Sequence, residues 1–158
     1  MITVETVIAA TPIFVRDIFV DFSKLHAWHT SGWIKSIRSL TPGKTSGGEL
    51  VVGDKMRSEI AGMSFNQTVL ENTPTTFRWV GPWYGVLTGT HIFTFLPHPT
   101  LADHTILTQS EAFTGLLSYW MESPDSMGGK KTLIAFEGVN GDLKRYAEKE
   151  WTGISEQR

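Results

Sequence analysis

From Gly32 to Phe113 the apolar residues of this chain recur at every second position, and from about residue 129 they recur at every third or fourth. A period of two is what a half-buried strand requires, and a period near 3.6 is what an amphipathic helix requires. The chain therefore commits most of its length to strands and its end to one helix. Candidate strands are 33–40, 48–53, 55–60, 64–72, 75–81, 88–96 and 105–113, separated by turn clusters such as Thr41-Pro42-Gly43 and Asn72-Thr73-Pro74. Short turns between neighbours imply an antiparallel meander.

Residues 2–10 read as a further strand, and Thr11-Pro12 then offers an N-cap followed by proline at the first helical position. A short helix through Ile18 to Val20 follows, and Asp21 can cap a second over 22–28. On the last helix, about 129–152, Leu133, Phe136, Asn140, Leu143 and Ala147 share one face. Lys130, Lys131, Lys144, Arg145, Glu148 and Lys149 mostly occupy the others. No repeat or linker divides the sequence, so residues 1–158 read as one α+β domain. A sheet with one apolar face and a single long amphipathic helix must pack against each other. Where the sheet curves strongly the two surfaces part, and the gap becomes an internal hydrophobic cavity.

Composition narrows the function. At 158 residues the chain can bury roughly 70% of its unfolded surface, enough for a core without staples. The absence of cysteine removes disulfides, thiolate metal sites and thiol nucleophiles. Lys and Arg number 14 against 16 Asp and Glu, yet none lies between Arg78 and Lys130, where Trp79, Trp83, Tyr84, Phe93, Phe95, Phe113, Tyr119 and Trp120 concentrate. Base-stacking proteins need cations beside their aromatics, so nucleic acid is set aside as a partner. The N-terminus lacks a cationic signal-peptide start, and no stretch approaches the roughly 20 apolar residues of a transmembrane segment. The expectation is a cytoplasmic protein.

Chemistry concentrates on the strands 88–96 and 105–113. Their bulkier faces carry His91, Phe93 and Phe95 on one, and Leu107, Gln109, Glu111 and Phe113 on the other. A hairpin whose paired numbers sum to an even value puts both sets on one face, with His91 opposite or diagonal to Glu111 or Gln109. Burial and mutual charge could then tune the two as an acid/base pair, or the pair could only fix sheet register. Asn140 interrupts the apolar stripe of the last helix, where an amide must bond either a ligand or the sheet. Trp79 and Phe77, with Trp83 and Tyr84 in the following loop, are pocket walls or ordinary core aromatics. The loops 81–85 and 115–121 carry enough apolar area for a pocket entrance, a membrane-touching tip or a homodimer surface.

Other motifs fail. Gly43-Lys44-Thr45 lacks the earlier glycine of a phosphate loop, because Arg38 stands there. His26 and His29 lack a third ligand, so no metal is expected.

Taken together, several segments resemble the SRPBCC superfamily, also called START-like or polyketide cyclase/dehydrase-like, with its helix-grip fold. They are Ala10-Thr11-Pro12, Trp28, Gly32-Trp33-Ile34-Lys35-Ser36-Ile37, Phe77-Arg78-Trp79-Val80-Gly81, Gly89-Thr90-His91-Ile92-Phe93, Gln109 through Gly115, and Phe136 with Asn140 and Leu143-Lys144. The resemblance implies a curved antiparallel sheet of about seven strands around a long C-terminal helix, with two short helices after the first strand. It implies a cavity for a hydrophobic or aromatic small molecule, without a cofactor. Its polar residues would be His91, Glu111 and Asn140, acting catalytically. Trp33, Phe77, Trp79, Trp83, Tyr84, Phe93, Gln109, Phe113, Phe136 and Leu143 would hold the ligand. The expected activity is cyclisation, dehydration or isomerisation of a polyketide-like metabolite, and the alternative is a non-catalytic carrier. No arginine falls among these residues, so an anionic head group is poorly served.

Overall fold

The computed structural model describes residues 1–83, 86–116, 118–123 and 125–156, with the side chain of Trp83 left out. Seven strands form one sheet: β1 (Ile2–Ile8), β2 (Ile34–Ser39), β3 (Lys55–Ile60), β4 (Met63–Asn72), β5 (Thr76–Trp83), β6 (Leu87–Pro97) and β7 (Thr105–Gly115). Their order is β1-β7-β6-β5-β4-β3-β2, and the pairings are antiparallel. Register shifts between Ile34 and Ser36 and between Val69 and Glu71 mark irregularities of the kind that bend a sheet.

Helix α1 (Pro12–Val20) begins with proline at its start, as its sequence predicts, although the Thr11 side chain makes no capping hydrogen bond. Asp21 does cap, accepting from the Ser23 backbone N–H at 3.2 Å, and a short 3₁₀ turn leads into α2 (Leu25–Trp28). Two further helices close the chain, α3 (Ser118–Glu122) and α4 (Met127–Ser155). Ser126 caps α4 by accepting from Gly129 N–H at 2.9 Å.

Two elements differ from the sequence reading. The expected strand 48–53 is a 3₁₀ turn, Gly47–Glu49, closed by a capping box between Ser46 and Glu49. Gly47 has no room for a side chain, since a Cβ there would lie 2.6 Å from the Phe22 ring, and Val51 and Val52 face solvent instead of a sheet partner. The expected loop 115–121 contains α3, while β5 runs on to Trp83, which pairs with Leu87.

The core lies between the concave sheet face and the helices. Phe77, Phe93, Phe95 and Leu107 from the sheet meet Val15 and Phe19 of α1 and Val139, Leu143 and Ala147 of α4. The Phe19 and Phe93 rings meet at 4.3 Å, tilted by 37°. A second cluster of Ile2, Leu87, Phe113, Met121 and Phe136 packs at the other end. The cavity opens beside this second cluster.

Candidate functional site

A cavity of about 270 Å³ lies between the sheet and the start of α4. The sheet supplies Phe65, Gln67, Trp79, His91, Glu111 and Phe113, and the opposite wall is Met121, Gly128 and Thr132. Ala61, Trp120 and Lys131 also line it, and each of these is exposed, so they mark its mouth.

Its floor is made by two glycines. Gly81 of β5 and Gly89 of β6 are directly paired and both line the cavity. A Cβ on Gly81 would lie 2.9 Å from Gln67 Cγ, and one on Gly89 would lie 2.5 Å from Glu111 Oε1. The missing side chains are what let Gln67 and Glu111 lie across the sheet surface. Gly89→Ala should push the carboxyl aside toward the cavity at little cost in stability, because the atom it meets is the far end of the flexible Glu111 side chain. Chemical denaturation against wild type at pH 5 measures it.

His91 stands opposite Glu111 in the β6–β7 register, and Gln109 pairs with Phe93. The His91 ring is stacked on Phe93 at 4.9 Å and 8°, with Trp79 and Phe136 each at 4.9 Å. Gln109 Nε2 donates to His91 Nε2 at 2.9 Å, which leaves the ring hydrogen on Nδ1. Burial pushes the His91 pKa down to about 3, so the ring is neutral near pH 7. Burial acts on Glu111 in the opposite sense, raising its pKa to about 8 and keeping the carboxyl protonated near pH 7. Among the described residues none forms a hydrogen bond or ion pair with that carboxyl. What surface Glu111 retains faces the cavity it lines.

Trp33, Trp79, His91, Glu111 and Phe113, all expected at the site, line the cavity. Phe77, Phe93, Gln109, Phe136 and Leu143 stand behind it as fully or almost fully buried core residues. Phe136 touches the site indirectly, through Trp33 at 5.9 Å and His91. Tyr84 and the side chain of Trp83 fall outside the described residues. Of the two partners open to the Asn140 amide, the structure shows the sheet: the residue is fully buried, is not among the cavity-lining residues, and its Nδ2 donates to Thr6 Oγ1 of β1 at 3.3 Å. The helical stripe containing Asn140 faces β1 at that level, so the amide fastens helix to sheet.

Several lining residues escaped the sequence reading. Gln67 carried the same signal as His91, a polar residue in a buried alternation between Phe65 and Val69, and could have been found by it. Lys131 lies just beyond the cation-free stretch, and the first turns of α4 bring its side chain to the mouth. Trp120 and Met121 lie in the segment 115–121, for which a pocket entrance was one of the sequence readings, and both line the cavity from α3.

His29 belongs to a separate cluster. Its Nδ1–H faces Asp142 Oδ2 at 3.0 Å, and its Nε2 accepts from the Ile34 backbone N–H at 2.9 Å. Burial lowers the His29 pKa, with Asp142 opposing. Asp142 also accepts from the backbone N–H groups of Thr30 and Ser31, at 3.0 and 2.8 Å, and from Arg145. Burial alone would raise its pKa, but the hydrogen bonds from Ser31 and from the Thr30 hydroxyl, with His29 alongside, outweigh burial and hold it low. Both ring nitrogens of His29 are thus occupied in joining the α2–β2 connection to α4. Among the described residues no cluster of His, Asp and Glu could hold a metal ion. No helix among them is long and apolar enough to cross a membrane.

No protein-family model and no curated protein matches the sequence. Solved structures do match in shape. A START superfamily protein from Mycobacterium smegmatis is 17% identical with a TM-score of 0.64, covering 94% of this chain and 97% of that one. A hypothetical protein from Helicobacter pylori gives a TM-score of 0.71 at 15% identity, covering 92% and 86%. A major latex-like protein from Panax ginseng gives 0.63 at 13%, covering 92% and 95%. Identities this low speak for the fold and leave the activity open. An antiparallel seven-stranded sheet closed over a 29-residue C-terminal helix, with these neighbours, is the START-like helix-grip fold.

Proposed function

We propose that this protein takes up a small, apolar, oxygen-bearing molecule in the cavity and promotes a cofactor-independent cyclisation, dehydration or isomerisation of a polyketide-like metabolite. Glu111 is the proton donor. The observation that carries this reading is its carboxyl, buried among aromatic side chains, protonated near pH 7 and without a partner from the described residues. Such an acid can give its proton to a substrate carbonyl or a departing hydroxyl, and the carboxylate left behind can take a proton back. Trp33, Trp79 and Phe113 hold the substrate chain folded, and for an intramolecular reaction that proximity supplies much of the acceleration. His91 is neutral and bonded to Gln109, so it shapes the wall beside Glu111 and does not shuttle the proton.

A carrier without chemistry is the second reading. It is favoured by the withdrawal of Asn140 and Gln109 from the cavity wall, which leaves few groups for a reaction. Native mass spectrometry of freshly purified protein identifies a co-purified molecule. Polyketide-like candidates of that class are then incubated with wild type, Glu111→Gln, His91→Ala and Asn140→Ala, with product and binding followed together. Loss of product by about 100-fold or more in Glu111→Gln with binding retained is the expected result for the enzyme. Binding that persists while no variant changes product formation beyond the buffer background makes it a carrier.

A further inference from the structure

The cavity has a smaller neighbour. A void of about 10 Å³, room for about one water molecule, is walled by Phe19, Ile37, Met56 and Phe93, none of which lines the cavity. Trp33, Ile60, Trp79 and His91 line both spaces. These shared walls make the void a continuation of the cavity. On β6 the inward-facing residues run in order, with Gly89 lining the cavity, His91 lining both and Phe93 lining the void alone. On β3 Ile60 lines both, while Ser58 and Met56 line the void alone. The void therefore carries the cavity one side-chain step deeper along these strands, about 7 Å.

Of the four shared residues, three stand on the sheet. The Trp79 ring packs on Phe77 at 5.3 Å and Phe93 at 5.5 Å, and His91 is stacked on Phe93 and bonded to Gln109. Both are clamped to the floor. Ile60 is a short side chain at the end of β3. Trp33 comes from the connection before β2, outside the strands. Its main chain is tied, because the Ala61 N–H donates to the Trp33 carbonyl at 2.9 Å and the next residue, Ile34, donates to His29 Nε2. Its ring is half-buried and meets the Phe136 ring at 5.9 Å and 66°. A large side chain on a fixed backbone, where two spaces meet, divides them by its own bulk.

We infer that Trp33 determines the length of ligand the cavity accepts: its indole parts the cavity from the inner void, so that a compact, ring-sized body is admitted and a long acyl chain is refused. The inference rests on the cavity being the ligand site. It gives Trp33 a specificity role beyond that of an apolar wall.

Apolar cavities smaller than this one take up single aromatic rings, so a phenol with a growing tail is a suitable ruler. Titration calorimetry at pH 6 follows 4-alkylphenols from ethyl to heptyl. While the tail finds apolar room, each added methylene should tighten binding about fourfold. In wild type that rise should stop within the series. In Trp33→Ala and Trp33→Leu it should continue by at least two further carbons, a gain of about tenfold or more over the homologue at which wild type stops. Trp33→Leu keeps an apolar side chain and serves if Trp33→Ala does not fold. Adding Ile37→Phe to Trp33→Leu fills the void from a wall the cavity does not share, and should restore the wild-type limit. A rise through the whole series in wild type overturns the partition and leaves the cavity as a ligand site. So does an unchanged limit in the Trp33 variants, or a gain that survives Ile37→Phe. Failure of wild type to bind any of the phenols overturns the ligand-site reading and the partition with it.

Discussion

Glu111→Gln is expected to stabilise the ligand-free protein at pH 8 and to leave its stability at pH 4 unchanged. The Glu111 pKa rises from 4.5 to about 8 in the fold. Between those values the native state holds a proton that the unfolded chain has released, so stability falls as pH rises. The loss is absent below the lower value and complete above the upper one. At about 1.4 kcal/mol for each tenfold change in acidity, the ceiling is about 5 kcal/mol. Water in the cavity keeps the measured gain below that ceiling. His91 acts with the opposite sign. Its pKa falls from 6.5 to about 3, so the unfolded chain binds the extra proton and stability rises with pH across that window. The two slopes oppose between pH 4.5 and 6.5, and Glu111 alone governs the decline above. Denaturant titrations of wild type and Glu111→Gln from pH 4 to 9 measure this. Parallel curves for the two proteins would show that the cavity does not hold the carboxyl neutral.

Asp142→Ala is expected to cost about 3–5 kcal/mol, because it removes the acceptor from a buried cluster and strands its donors. Asp142 is 2% exposed and receives the backbone N–H groups of Thr30 and Ser31, the Thr30 hydroxyl, His29 and Arg145. Asp142→Asn keeps an acceptor oxygen and should lose less. Urea unfolding at pH 7 of both variants tests the ranking. A loss for Asp142→Ala within about 1 kcal/mol would place the cluster among ordinary surface pairs. Neither substitution touches the cavity wall, so a variant that remains folded should keep the cavity unchanged.

Most of the architecture was legible because it follows from two periodicities. The odd-numbered buried faces of β6 and β7 could be read from Phe93, Phe95, Leu107 and Phe113, and a hairpin of even sum then set His91 opposite Glu111. The turn at Gly47–Glu49 was not legible as such, since Leu50, Val51 and Val52 look like a strand until the capping box and the Phe22 ring beside Gly47 are seen. Asn140 shows the limit of a helical wheel: its stripe was read correctly, but which part of the sheet that stripe meets depends on how the sheet bends. Gln67 shows the reverse: the alternation of β4 puts it on the buried face between Phe65 and Val69, so its place is legible from the sequence. Lys131 required the position of the helix start, which a period cannot supply.

The strand order has a consequence for assembly. A sheet with seven strands in a row has two open edges, β1 and β2, and an open edge invites pairing with another chain. At the end of β1 the backbone is already engaged by α4, since Lys144 donates to the Val7 carbonyl at 2.6 Å and, just past the strand, the Ala9 N–H donates to Glu148 at 2.8 Å. On β2 the exposed Lys35 and Arg38 and the register shift at its start set charge and irregularity against an incoming strand. Growth of the sheet from one molecule into the next is therefore disfavoured at both ends, and a second copy of this chain would have to meet it through side chains.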